Sequence, residues 1–228
     1  MTGVRLDERL TVLVQLIERW TKKGGVHLDI GSDHGGLLFR LFQNQHLHRA
    51  IAVEKNETPY RNSIEALSEF PVDVRLGDGL DEVQSGEMHS LSASGIGGRT
   101  ICRILDSHPD RICDWLFFQP NKDVDLVRRW AFKAHFHLVE EVLTERLFTL
   151  LVFRREQQPD GSYDRLPLEP AFHFGPHLIK ERNPVLERRL VEEREYYRPL
   201  AEFGEEASKR LNLIEGALRE MQRRQVVE

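Results

Sequence analysis

Cysteine is nearly missing from this chain: Cys102 and Cys113 are the only two among 228 residues. Two isolated thiols give neither a disulfide framework nor the paired spacing of a zinc site, so they read as inert groups of a reducing cytosol. Long hydrophobic runs are missing too. Nothing approaches the roughly 20 apolar residues that span a bilayer, so no membrane association is expected. An excess of positive charge is also lacking, because 32 Lys and Arg stand against 37 Asp and Glu, a formal net charge of −5. That excludes a chain-wide basic field but not a local basic cluster. The glycine-rich stretches lack the Lys-Ser or Lys-Thr continuation of a phosphate-binding P-loop. No Ser/His/Asp or Cys/His grouping marks a nucleophile, and no metal site is expected.

What is present is a globular composition, 40% hydrophobic and 30% charged, long enough to bury a core. Met1 to Ile17 carries Leu6, Leu10, Leu13, Val14 and Ile17 at helical spacing, which predicts an opening helix and not a signal peptide. Strand–helix units then follow. Val26–Ile30 leads into a helix through Phe42, and Ala50–Glu54 into Asn62–Leu67 with Pro59 near the helix start. Val72–Leu76 ends in the turn Gly77-Asp78-Gly79, and Leu91–Ala93 runs through Gly95-Ile96-Gly97-Gly98 into Thr100–Leu105. Asp114–Phe118 closes on Gln119-Pro120-Asn121 before the helical Leu126–Ala134. Phe136–Leu143 and Phe148–Phe153 predict an antiparallel hairpin. The alternation argues for an α/β domain, a mostly parallel sheet covered on both faces. Ser90, Ser92 and Ser94 fit a central strand poorly.

Residues 1–156 thus form the expected sheet domain, 157–175 a Pro/Gly/Asp-bearing linker and 176–228 a helical region. There Leu186, Leu190, Tyr197 and Leu200, then Ala207, Leu211, Ile214, Leu218 and Met221, keep helical spacing. Pro199, Phe203 and Gly204 interrupt them, which predicts an antiparallel helical hairpin.

The chemistry concentrates in Val26–Gly36, V-H-L-D-I-G-S-D-H-G-G. A strand ends in Asp29, and Gly31 allows a sharp turn and close approach of a ligand. Asp33 in that loop would repel a pyrophosphate but accept from a cationic ligand, which suits S-adenosylmethionine (SAM) over NAD or ATP. Glu54, at the end of the second strand, is placed to accept ribose hydroxyls. Asp78 can reach an adenine amino group or simply form a turn. The three glycines of Ser94–Gly98 imply close approach to a ligand or a packed helix. Gln119 and Asn121 can hydrogen-bond a planar base, or Asn121 can cap a helix. His34 is a substrate contact or a structural imidazole, and His27, His135 and His137 are expected as packing residues.

The segments L-D-I-G-S-D-H, A-I-A-V-E-K-N, D-V-R-L-G-D-G-L, A-S-G-I-G-G, F-Q-P-N and F-G-P-H-L-I-K-E resemble, in that order, the bacterial tRNA adenine-22 N1-methyltransferase family, TrmK-type. The resemblance covers nearly the whole chain. It implies a class I methyltransferase with a Rossmann-like domain and a C-terminal coiled-coil-like domain. SAM is implied near Asp29, Gly31, Asp33, Glu54, Asp78 and Gly95, with Ser32, His34, Lys55, Gly79, Ser94 and Ile96 beside them. The implied methyl acceptor is an adenine of tRNA, with Asn121 and Gln119 holding the base and Asp33 and His34 as neighbours. Arg99, Arg103, Lys122, Arg128 and Arg129 are expected to meet phosphates, and Arg188-Arg189 and Arg223-Arg224 to grip the tRNA body. This chain departs from the family pattern at Gly35-Gly36-Leu37-Leu38, where Ala-Tyr-Leu-Pro is usual, at Ile96, and at Glu145–Thr149. Three alternatives stay open: a methyltransferase acting on another substrate, a non-catalytic RNA- or protein-binding descendant and, least favoured, an NAD-dependent oxidoreductase. A cytoplasmic location is expected. The oligomeric state is open, with a monomer favoured.

Overall fold

The computed structural model describes residues 6–32 and 34–223. The elements run α1 (Glu8–Trp20), β1 (Val26–Ile30), α2 (Gly36–Gln43), β2 (Arg49–Glu54), α3 (Glu57–Ala66), β3 (Val72–Leu76), β4 (Ser90–Ser94), α4 (Gly98–Ser107), β5 (Trp115–Gln119), α5 (Val124–Lys133), β6 (Phe136–Leu143), β7 (Thr149–Arg155), α6 (Leu168–Phe174), α7 (Pro176–Lys180), α8 (Pro184–Leu200) and α9 (Glu205–Gln222). Asp7 starts α1 by accepting from the Leu10 N–H at 2.8 Å.

Seven strands form one sheet in the order β3-β2-β1-β4-β5-β7-β6. The first five are parallel, and β7 runs antiparallel to both β5 and β6. The chain turns back on itself between β1 and β4, which opens a crevice beyond their carboxyl ends. Alternate strand residues face opposite layers. Leu28, Ile30, Ile51, Val53, Leu91, Ala93, Leu116 and Phe118 pack with Ile101 and Ile104 of α4 and Val127 and Ala131 of α5. Ala50, Ala52, Phe117, Leu150 and Val152 pack with Leu13 and Ile17 of α1 and Leu38 and Leu41 of α2. The serines of β4 stay in the strand because Ser90 and Ser92 find buried hydrogen-bond partners on β1.

The stretch expected as a linker is not open chain. It holds a 3-10 turn, Gly161–Tyr163, and α6, whose Phe172 packs with Tyr163 beside Phe132 of α5. Phe174, Leu178, Leu186, Leu190, Ile214, Ala217 and Leu218 then form a separate core that includes Leu143 of β6. Two differences concern proline. Pro59 lies inside α3, which starts at Glu57, and Pro199 lies inside α8. Pro59 falls in the first turn of α3, where an N–H has no intrahelical partner, and Pro199 gives up one bond in the last turn of α8 without ending the helix, so the chain reverses only after Leu200. Arg210 then pairs with Glu193, and Arg182 reaches the Arg223 carbonyl, so α9 runs back along α8.

Arg128 was expected to meet phosphate, and the fold corrects this. Its side chain is 2% exposed and its guanidinium donates to Glu141 at 2.8 and 3.1 Å. It also donates to the Phe172 carbonyl at 2.9 Å, while Glu141 accepts from the His177 N–H at 2.8 Å. The pair joins α5 and β6 to α6 and α7. Arg129 is held by Glu169 at 2.6 Å, with Asp125 at 3.6 Å. His135, expected in a strand, sits at positive φ in the turn before β6.

Candidate active site

A cleft of about 520 Å³ opens at the carboxyl ends of β1, β2 and β4. Asp29, Gly31, Ser32 and His34 line it from the loop after β1, Glu54 from β2, and Ser94, Gly95 and Ile96 from the loop after β4. Asp33 falls outside the described residues. Gly31 has φ +71°, and a Cβ there would meet only Ile96 Cγ2, at 4.0 Å, so its backbone faces open cleft.

Two carboxylates sit deep in this cleft. Asp29 is 3% and Glu54 4% exposed. Burial pushes the Asp29 carboxyl above its ordinary range, opposed by hydroxyl donation from Ser92. Ser92 Oγ donates to Asp29 Oδ1 at 2.6 Å, and Ser63 Oγ to Glu54 Oε1 at 3.2 Å. Ser94, also lining the cleft, keeps a buried Oγ with no hydrogen-bond partner among the described residues. Acceptors at depth, an open glycine backbone and an orphaned hydroxyl fit an uncharged sugar and a cationic amino acid better than a diphosphate.

The structure does not bring every expected residue here. Lys55, Asp78 and Gly79 are not part of the cleft lining. Asp78 is tied to Lys55 at 2.8 Å and Arg103 at 3.1 Å, which hold its carboxyl below the usual range. Gly79 gives α4 room, since a Cβ would stand 2.6 Å from Ile104.

The cleft lining also includes residues that sequence reasoning did not assign to the site: Leu6, Asp7, Arg9 and Leu10 at the start of the chain, with Gly36, Leu37 and Pro59. Arg9, on the first turn of α1, donates from Nη1 to Gln119 Oε1 at 3.1 Å. Helical spacing alone marks it as a solvated position, so no sequence signal separates it from its charged neighbours.

The glycines of Ser94–Gly98 make their close approach to the loop after β5, and not to a ligand alone. A Cβ on Gly98 would stand 2.1 Å from the Asp123 carbonyl oxygen. Gly98 N–H donates to Lys122 O at 2.9 Å and Asn121 N–H to Ile96 O at 2.9 Å, while Asn121 Nδ2 donates to Gly95 O at 2.5 Å. Gln119, expected to hold a base, is fully buried instead. Its Oε1 accepts from Arg9 and from the Gly95 N–H, and its Nε2 donates to Pro120 O. Its amide is committed to shaping the cleft wall. Asn121 is exposed and caps no helix; the cap of α5 is Asp123, at φ 56°.

A second cleft of about 650 Å³ begins on the far side of that loop. Asn121 and Lys122 line it together with Leu147 to Thr149, His173, Phe174, Arg189, Glu193 and Arg210. Burial pushes Glu193 upward, but donation from Arg210 and Arg189 outweighs it and keeps the carboxyl ionised. Arg99 is exposed on α4. Arg188 pairs with Glu145 at 2.8 Å and Arg223 with Glu220 at 3.0 Å, both surface contacts, and Arg224 lies outside the described residues.

Neither cysteine offers a nucleophile. Burial pushes the Cys113 thiol up to about 12 and the Cys102 thiol up to about 11. Among the described residues no group of three His, Cys, Asp or Glu is arranged to hold a metal, and no helix is long and apolar enough to cross a membrane.

The family model described as TrmK, tRNA (adenine(22)-N(1))-methyltransferase, matches residues 27–223. The chain belongs to this family. It is 29% identical over 211 residues to the Bacillus subtilis tRNA (adenine(22)-N(1))-methyltransferase, covering 89% of this chain and 87% of that protein. The crystal structure of the B. subtilis m1A22 tRNA methyltransferase TrmK superposes with a TM-score of 0.81 at 27% identity, over 96% of this chain and 97% of that one. A Streptococcus pneumoniae protein described as a putative tRNA (m1A22) methyltransferase, solved in complex with S-adenosyl-L-methionine, gives 0.79 at 26% identity, over 94% of this chain and all of that one. As a TrmK-family protein, the chain has the Rossmann-like methyltransferase fold expected of it.

Proposed function

We propose that this TrmK-family chain is a SAM-dependent methyltransferase that methylates N1 of an adenine in tRNA, with SAM in the cleft over β1 and β2 and the adenine in the second cleft. The observation that carries the reading is the Asn121–Gly95 contact. Gly95 lines the first cleft and Asn121 the second, so donor and acceptor sites meet across one hydrogen bond. The family name supplies position 22 of the tRNA as the target.

SAM supplies a methyl group on a sulfonium, already activated for transfer. Glu54 is the residue to accept from ribose hydroxyls and Asp29 to accept from the ammonium end. Arg9, the cleft's arginine, is the residue to hold the carboxylate. N1 of adenine carries a lone pair at neutral pH, so no strong general base is required. The work left to the protein is alignment and exclusion of water, which can supply roughly 7–11 kcal/mol in well-oriented systems. Because N1 faces its pairing partner in a helix, the nucleotide has to leave the stack to reach Asn121. The exposed Lys122, Arg99 and Arg188 are free to exchange weak surface contacts for phosphates. The protein acts in the cytoplasm.

Calorimetry separates cofactor classes. SAM binding with no NAD binding supports the reading, and NAD binding alone overturns it. Transfer of labelled methyl from SAM to total tRNA, followed by nucleoside analysis, tests the acceptor.

A further inference from the structure

β1 and β4 lie side by side with His27 opposite Ser90 and Asp29 opposite Ser92. All four side chains are buried, on the sheet face otherwise filled by Ala50, Ala52, Phe117 and Leu150. Apolar residues would fit that layer, and an imidazole beside two hydroxyls is costly there unless every polar atom is paired. They are paired, in a line. Ser92 Oγ donates to Asp29 Oδ1 at 2.6 Å, His27 Nε2 lies 2.8 Å from Ser92 Oγ, and His27 Nδ1 lies 2.7 Å from Ser90 Oγ.

A hydroxyl has one proton to give, and this fixes the direction of the whole line. With Asp29 ionised, Ser92 donates to the carboxylate. His27 must then carry its hydrogen on Nε2 and donate to Ser92, leaving Nδ1 to accept from Ser90. Burial, with His46 beside it, pushes the His27 imidazole down to about 3, so it stays neutral and keeps one tautomer. A hydroxyl that accepts from an imidazole N–H is a better donor in turn.

We propose that His27 and Ser92 are positioning residues for the cofactor: together they hold the Asp29 carboxylate ionised and in one orientation at the floor of the cleft. The proposal rests on the assignment of that cleft to SAM. Burial alone works against an ionised Asp29, and the line of donors opposes it. Among the described residues the other titratable groups around the cleft are Asp7 and Arg9 at the start of α1, Glu54 from β2 and His34 from the loop after β1, while His46 faces His27 from the stretch before β2. None of them occupies the Ser92 side of the carboxylate.

The test is SAM affinity by calorimetry across pH for wild type, S92A, S92T and the double variant His27→Leu with Ser92→Ala. The double variant exchanges the polar pair for apolar groups of similar bulk, which a core tolerates better than a lone orphan. It is expected to keep the wild-type circular dichroism, bind SAM about tenfold more weakly at neutral pH, and lose binding on acidification about one unit earlier. S92T, which keeps the hydroxyl, restores both. Equal affinity and an equal acid limb in wild type and the alanine-bearing variants overturn the proposal while leaving SAM in the cleft. Failure of the wild type to bind SAM defeats the cofactor assignment and the proposal with it. Should the double variant not fold, nitrogen-15 NMR of His27 in the wild type decides. The tautomer with hydrogen on Nε2 supports the line of donors, and hydrogen on Nδ1 contradicts it.

Discussion

Arg9 on the first turn of α1 donates to the side-chain oxygen of Gln119 at the end of β5 at 3.1 Å, and the same oxygen accepts from the Gly95 N–H at 3.2 Å. One carboxamide oxygen thus joins the opening helix to the two loops that separate the clefts. Arg9 has further N–H groups to offer a carboxylate. Arg9→Ala is expected to weaken SAM binding by about tenfold or more, the worth of a charge-assisted hydrogen bond. Binding of methylthioadenosine, which lacks the amino-acid part, should change little. Equal losses for both ligands in calorimetry would assign Arg9 a purely structural part.

Arg128 and Glu141 are the joint between the sheet domain and the helices after it. Removing one member leaves the other charged and buried, which costs about 3–5 kcal/mol. Arg128→Ala should therefore lower the thermal midpoint sharply and loosen α6 and α7, as hydrogen exchange would record. A midpoint within a degree or two of wild type is the contrary result.

Asn121 belongs to the acceptor side. Asn121→Ala should leave SAM affinity close to wild type and slow methyl transfer by about tenfold or more, since alignment of the acceptor is the main contribution asked of the protein. Parallel measurement of SAM binding and single-turnover transfer checks this, and a loss of SAM affinity of the same size would place Asn121 on the cofactor side.

Glu87 provides a pH test remote from the clefts. Its carboxylate pairs with Arg75, which holds its pKa down to about 2. A carboxylate depressed in the folded state stabilises the fold above its unfolded pKa. That stabilisation is lost as pH falls from about 4.5 towards 2. Allowing for its partial exposure, the contribution is about 2 kcal/mol. Glu87→Gln should lower stability at neutral pH by about that amount and flatten the decline between pH 5 and pH 2 in denaturant titrations.

Most strands were legible as short runs rich in apolar residues, with Gly31, Gly77, Gly95 and Pro120 closing β1, β3, β4 and β5, although β4 carries three serines, and the Asp29 loop was legible because a glycine turn between a strand and a helix is a local signal. Arg128 was not legible as a joint while it was read as one of an Arg-Arg pair. Its position four after Val124 and three before Ala131 puts it on the buried face of α5, and that spacing was the available clue. His27 shares strand parity with Asp29, as Ser90 does with Ser92, yet only the β1–β4 register puts the two pairs on one face. Arg9 and Gln119 are 110 residues apart in sequence, and nothing local announces their contact. The stretch 157–175 looked like a linker because its prolines and glycines are turn formers, whereas Phe172 and Phe174 supply the apolar anchors that fold it onto α5 and β6.

Methyl transfer to a defined RNA tests the central claim most directly. An unmodified tRNA transcript bearing adenine at position 22 is incubated with the chain and labelled SAM, then digested and separated by liquid chromatography with mass detection. The expected product is labelled 1-methyladenosine, absent when guanine replaces that adenine. Label on any other nucleoside, or none on a transcript that the chain binds together with SAM, contradicts it.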